Sequence, residues 1–196
     1  MGKRDDNTAL DAALGRALLA VARNAIADQL GAGTSAPPAH PALGAPGASF
    51  VTLTQYGELR GCIGSLKAHR PLIYDVRENA QGAAFRDPRF APLQASELDI
   101  TRIEVSLLSP ARRLGFESEA DLLAQLRPGI DGLILSYGAR RATFLPQVWE
   151  SLPEPRDFLA QLKRKAGLPV DFWHQDLLMA RYEVTKWKEP ALPTTP

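Results

Sequence analysis

Leu10, Leu14, Ala17, Leu18, Val21 and Ala25 recur at three- and four-residue steps, which gathers apolar side chains on one side of a helix. This spacing predicts an amphipathic helix over residues 8–30, with Gly31 placed just past its end as a stop. The next stretch, "GAGTSAPPAHPALGAPG", holds too many prolines and glycines for a helix or a sheet interior, so residues 31–47 are expected as an exposed loop. The period then shortens. "SFVTLTQYGELRGCIGSL" reads as two short strands with a turn near Tyr56 and Gly57. Helical spacing returns behind Pro71 in Leu72, Val76, Ala80 and Ala83, and Pro88 suits an end to that helix by residue 86.

In "ITRIEVSLLS", Ile103, Val105 and Leu107 alternate with Glu104 and Ser106, the pattern of a half-buried strand. A short helix is expected over "SEADLLAQL" with Ser118 as its N-cap. "DGLILSYGARRATFLP" reads as a hairpin turning near Gly138, and "QVWE" follows it. "EPRDFLAQLKRKAGL" reads as a helix with Phe158, Leu159 and Leu162 inward, and "ARYEVTKWK" as a last strand. Residues 1–7 and 191–196 are expected as tails. One domain is expected over 8–190, because a lone helix ahead of the proline-rich loop could not bury its own face. Mixed helices and hairpins without a repeat predict an α+β fold, a largely antiparallel sheet with surrounding helices.

Charge narrows the partners. Over 196 residues the formal net charge is +1 with both signs interspersed, which argues against nucleic acid as a partner. The most apolar stretch is interrupted by Arg16, Arg23 and Asp28, so no membrane span is expected. "MGKRDDNTAL" carries no apolar core of a secretion signal, and a single cysteine requires no oxidising compartment. The expected location is cytoplasmic.

That cysteine lies in "LRGCIG". Strict alternation puts Arg60, Cys62 and Gly64 on one face and Leu59, Gly61 and Ile63 on the other, with Leu59 and Ile63 as core anchors. Arg60 and Cys62 would then sit about two strand rises, roughly 6–7 Å, apart, close enough for a guanidinium to favour a thiolate. Gly61 and Gly64 would leave room for a ligand or another backbone. A second reading stays open: Cys62 as a small packed hydrophobe, and glycines marking a bulge or tight packing. A buried Arg60 would need solvent or a carboxylate, and Glu104 is one candidate.

In "FRDPRF", Asp87 either opens a helix-ending turn or lines a pocket with Arg89 beside the cysteine strand. In "ATFLPQV", Thr143 and Gln147 offer neutral hydrogen bonds, while Phe144 and Leu145 suit a core. Lys163, Arg164 and Lys165 are read as a solvated helix end that complements the helix dipole. His40, His69 and His174 stand too far apart in the chain for a ligand set, so no metal is expected. No phosphate loop, dinucleotide fingerprint or nucleophile elbow is present, and no cofactor is expected.

From "LRGCIG" outward the sequence resembles the AMMECR-one family, known in prokaryotes as AmmeMemoRadiSam system protein A. "FVTLTQYGELRGCIGSL", "AAFRDPRF", "IEVSLLSP", "ATFLPQVWE" and "FLAQLKRKAGL" follow in the family's order over most of residues 50–190. Two features depart from it: Ser65-Leu66 where the family commonly has threonine and phenylalanine, and a longer loop at 31–47. The resemblance implies one α+β unit of two lobes with a cleft between them, and a Memo-like protein and a radical SAM enzyme as companions. It attaches no catalytic activity. Within it, the LRGCIG strand is expected to bind a small molecule or partner group. Cys62 would be the nucleophile, Arg60 would favour its thiolate, and Glu104 or Asp87 would orient groups or shuttle protons. Gly61, Gly64, Ser65, Asp87, Arg89, Thr143 and Gln147 would line the site. The alternative is a non-catalytic adaptor that docks a protein through the same surface.

Overall fold

A computed structural model describes residues 2–190. In chain order the elements of the first half are α1 (Gly2–Gln29), β1 (Pro46–Gln55), β2 (Glu58–Gly64), β3 (Arg70–Pro71), α2 (Leu72–Phe85) and β4 (Thr101–Leu108). Those of the second half are β5 (Arg112–Leu114), α3 (Glu119–Gln125), β6 (Gly132–Tyr137), β7 (Arg140–Phe144), α4 (Pro155–Lys165), β8 (Leu178–Tyr182) and β9 (Val184–Lys188). Among the described residues they form two compact units, 2–108 with 185–190, and Ser109–Val184. Each unit has its own antiparallel sheet, so the α+β class holds with two sheets in place of one.

In the first unit the strand order is β2-β1-β4-β9, and the two-residue β3 pairs with the start of β1. The alternating residues Val51, Leu53, Ile103 and Val105 are buried in one core with Ala17, Leu18, Val21, Ala22, Ala25 and Ile26 of α1 and Leu72, Val76, Ala80 and Ala83 of α2. The apolar stripes read from the sequence thus cover one face of this sheet. The helix α1 begins at Gly2, earlier than residue 8, so Gly2–Asn7 are helix and not tail. No proline interrupts those charged residues, which carry the helix back beyond its apolar stripe. Gly15, in mid-helix, admits the Trp187 ring: a Cβ there would lie 2.2 Å from the ring.

The β1–β2 hairpin turns at Tyr56 and Gly57, with φ of 51° and 89°, both left-handed, as a tight two-residue hairpin requires. Its pairing is not regular. Leu53 faces Gly61 but Thr54 faces Leu59, so Arg60 is an extra residue in β2, a β-bulge.

In the second unit the order is β5-β8-β6-β7, over a core of Leu133, Leu135, Phe158, Leu159 and Leu162. Trp149 stacks on Phe158 with ring centroids 3.7 Å apart, and its Nε1 donates to Asp131 O at 2.7 Å. Ser118 caps α3 by accepting from Asp121 N at 3.1 Å. The expected solvated end of α4 is corrected at Lys163. This side chain is fully buried, with Nζ 2.6 Å from Glu119 Oε2 and 3.3 Å from Val170 O. Helical spacing puts it one residue after Leu162, on the inward side, and the Glu119 carboxylate compensates its charge. Arg164 and Lys165 are exposed as expected.

The two glycines that flank Cys62 are occupied by protein. A Cβ on Gly61 would lie 2.1 Å from Ala83 O, in the backbone of α2, and one on Gly64 would lie 2.2 Å from the Phe50 ring. Gly61 thus admits another backbone, as the first reading allowed, and Gly64 a packed ring, as the second did. Gly61→Ala is therefore expected to lower the urea midpoint by the equivalent of about 2–3 kcal/mol, because main chain cannot swing aside. A midpoint equal to the wild type would contradict this close approach.

Candidate functional site

The bulge separates the two groups that alternation placed together. Arg60 Nε donates to Glu97 Oε1 at 3.0 Å and Nη2 to Glu97 Oε2 at 3.2 Å. Gln55, on the Val51–Leu53 face of β1, donates to the same Oε1 at 3.0 Å. Cys62 instead stands opposite Thr52, whose Oγ1 donates to its Sγ at 3.4 Å. Leu59, expected as a core anchor, pairs with Thr54 and is 43% exposed. Arg60 thus goes to Glu97 and not to Glu104 or to the thiol. Its Nη1 is buried without a partner.

The guanidinium near Cys62 belongs to Arg89. Asp87, buried, accepts from Cys62 N through Oδ2 at 2.9 Å, and Arg89 Nη2 donates to Cys62 O at 3.4 Å. Arg89 also grips Asp87, Nε to Oδ1 at 2.9 Å and Nη2 to Oδ2 at 2.7 Å, and its own N–H bonds Oδ1 at 3.2 Å. The Arg89 guanidinium, helped by the Cys62 and Arg89 amides, holds the Asp87 carboxyl well below the usual carboxylate range. Asp87 organises the turn, as the first reading of "DPRF" has it, and with Arg89 it also lies against the cysteine strand.

Glu104 lies next to Thr52 on the opposite side from Cys62, because Thr52 pairs with both. Cys62, Thr52 and Glu104 form one row across three strands. Lys188 Nζ is 2.7 Å and Lys186 Nζ 3.8 Å from the Glu104 carboxylate. All three residues of the row are half-buried.

Ser65 belongs to a buried polar cluster that the sequence reading missed. Asp75 Oδ2 accepts from Ser49 N at 2.9 Å, Ser49 Oγ at 2.7 Å and Asn79 Nδ2 at 2.9 Å, while its Oδ1 takes Arg70 Nε at 3.0 Å. Asn79 Nδ2 also lies 3.4 Å from Ser65 Oγ, and Ser65 N donates to Ser49 O at 2.8 Å. The signal was present: Asp75 and Asn79, four apart, interrupt the apolar stripe of α2 between Leu72 and Ala80. Glu97 carried a weaker one, its capping-box spacing from Gln94.

Thr143 and Gln147 lie in the second unit. Thr143 Oγ1 donates to Leu133 O at 2.7 Å and lies 3.1 Å from the Tyr182 hydroxyl, so it ties β7 to its neighbour β6 and reaches β8. Gln147 is exposed. In the first unit a pocket of about 530 Å³ is lined by Arg23, Asn24, Leu98, Asp99, Arg102 and Glu189 among others. Arg23 spends its donors there on both Glu189 oxygens, Leu98 O and Thr101 O, which fastens α1 to the end of β9. Among the described residues, no three His, Cys, Asp or Glu side chains gather as a metal site, and no helix is long and apolar enough to cross a membrane.

The model of the AMMECR1 family matches residues 19–187. A protein of Methanothermobacter thermautotrophicus is 41% identical over 146 residues, 71% of this chain and 74% of its own length. One from Aeropyrum pernix is 36% identical over 191 residues, 92% of this chain and 80% of its own. The crystal structure of the uncharacterized protein PH0010 from Pyrococcus horikoshii has a TM-score of 0.74 at 33% identity, covering 93% of this chain and 94% of that one.

Acid should report on the two carboxylates nearest the bulge. Hydrogen bonds from Arg60, with help from the Gln94 amide and Gln55, lower Glu97 to about 2, and Asp87 is depressed as well. Both therefore bind fewer protons folded than unfolded, so their stabilisation is present above the unfolded value, about 4, and is lost as pH falls below it. The denaturation midpoint should fall below about pH 4, and the fall should be shallower in Asp87→Asn and in Glu97→Gln. Acid limbs that superimpose on the wild type would contradict the assignment.

Proposed function

The chain belongs to the AMMECR1 family, and we propose that its working surface is the Cys62 face of β2, which receives a small molecule or a reactive group of a partner protein. The observation that carries this reading is the thiol's setting: half-buried, with the Thr52 hydroxyl 3.4 Å from sulfur and the main chain of Cys62 pinned by Asp87 and Arg89. The Thr52 hydroxyl fixes where the sulfur sits, and the pinned main chain holds it there. In the enzymatic version the sulfur adds to an electrophilic carbonyl carbon of the ligand, the C=O π pair moves onto oxygen, and the thiol proton leaves to solvent or toward Glu104, the carboxylate beyond Thr52 in the same row. Asp87 is a poor base, since the Arg89 guanidinium holds its carboxyl well below the usual carboxylate range. Arg60 takes no direct part, because it is committed to Glu97. Gly61, Gly64 and Ser65 shape the strand from within.

One observation favours the adaptor reading beside it. Tyr56 and Leu59, 77% and 43% exposed, stand on the same hairpin and suit a protein partner. The Memo-like and radical SAM companions implied by the resemblance are the partners to try. A cytoplasmic setting, in which a free thiol stays reduced, belongs to the same proposal.

Iodoacetamide at neutral pH separates the readings. Native Cys62 should alkylate about tenfold faster than the urea-unfolded chain, and Thr52→Val should remove most of that advantage. Labelling that appears only after unfolding would leave the cysteine a packing residue. For docking, Tyr56→Asp with Leu59→Asp should reduce recovery of a Memo-like partner on beads that carry this protein. Equal recovery would put docking elsewhere.

A further inference from the structure

Strand β2 ends its sheet, with β1 as its strand neighbour on one side. In an antiparallel pair alternate residues turn their N–H and C=O away from the partner. Cys62 is such a residue: its N–H reaches Asp87 Oδ2 at 2.9 Å and its C=O meets Arg89 Nη2 at 3.4 Å. An acceptor and a donor, two residues apart, thus give Cys62 what an adjoining strand would give it. Pro88 between them has no N–H to offer a further chain. The turn is closed by Phe90 N donating to Asp87 O at 3.1 Å, and Arg89 braces the carboxylate that does the capping.

The other sheet edges are protected differently. β5 opens with exposed Arg112 and Arg113, β7 with exposed Arg140 and Arg141, and β9 carries exposed Lys186 and Lys188. Charges along an edge discourage a second sheet from pairing there. β2 has exposed Glu58 at its start but loses the charge of Arg60 to the Glu97 pair, and then runs Gly-Cys-Ile-Gly. Such an edge is self-complementary, because an antiparallel strand can pair with its own copy about a two-fold axis.

We propose that Asp87 and Arg89 form a side-chain lock that stands in for a missing strand at Cys62 and keeps β2 from pairing with β2 of a second copy of this chain. The lock does not depend on whether Cys62 reacts with anything. It turns two residues expected to line a ligand site into guards of the sheet edge.

Amide exchange and sedimentation velocity, both under reducing conditions, test it. In the wild type the Cys62 amide should be protected although no strand bonds it. In Asp87→Ala/Arg89→Ala its protection should fall at least tenfold while Ile63, paired with Val51, keeps its own; Asp87→Asn, which retains an acceptor oxygen, should recover part of the loss. The double variant should also dimerise with rising concentration while the wild type does not. A Cys62 amide that exchanges equally fast in wild type and double variant overturns the lock, and a monomeric variant with its edge amide freed overturns the role against a second copy. If the double variant loses Ile63 protection as well, Arg89→Gln, which frees the Cys62 C=O and the side-chain brace on Asp87 but keeps the Asp87 acceptor, is read by sedimentation: self-association supports the lock, and a monomer at every concentration overturns it.

Discussion

Arg60 reaches Glu97 through two charge-assisted hydrogen bonds, and Gln55 joins the same carboxylate. Held this way, Arg60 is the one residue too many in β2, and the strand beyond it is set half a period out of step with the strand before it. Leu59 turns to solvent, Gly61 turns toward α2, and Cys62 comes to Thr52. The row that runs from Cys62 through Thr52 to Glu104 exists in this register and in no other.

Closeness of α2 is the second consequence. The backbone at Ala83 lies where a side chain on residue 61 would be, and the buried Asp75 and Asn79 of the same helix bind Ser49 of β1 and approach Ser65 just after β2. A helix clamped this near to an edge strand delivers the chain that follows it, Arg86 to Arg89, alongside that strand. Asp87 and Arg89 then have one natural target, the outward main-chain groups of Cys62. The LRGCIG strand and the "DPRF" turn are thus parts of one hydrogen-bonded construction.

Much of this was legible in the sequence. Apolar stripes at helical and strand periods located the helices, the hairpins and the α+β class, since burial of one face is what those periods encode. The pairing of Arg60 was not legible, because alternation assumes an unbroken period of two and a bulge leaves no local mark beyond a glycine beside it. Lys163 was misplaced for a related reason: a position next to Leu162 on the inner side of α4 looks solvent-facing until Glu119 is known to meet it. The glycines beside Cys62 had two readings, and what fills the space beside each is known only from the positions of Ala83 and Phe50. In each case the missing information was a contact between distant parts of the chain.

A double-mutant cycle on Arg60 tests the register most directly. Combining Arg60→Gln with Glu97→Gln should give a coupling energy of about 0.5–3 kcal/mol in urea unfolding, and combining it with Glu104→Gln should give none beyond error. Coupling to Glu104 with none to Glu97 would return Arg60 to the cysteine face and contradict the bulge on which this account rests.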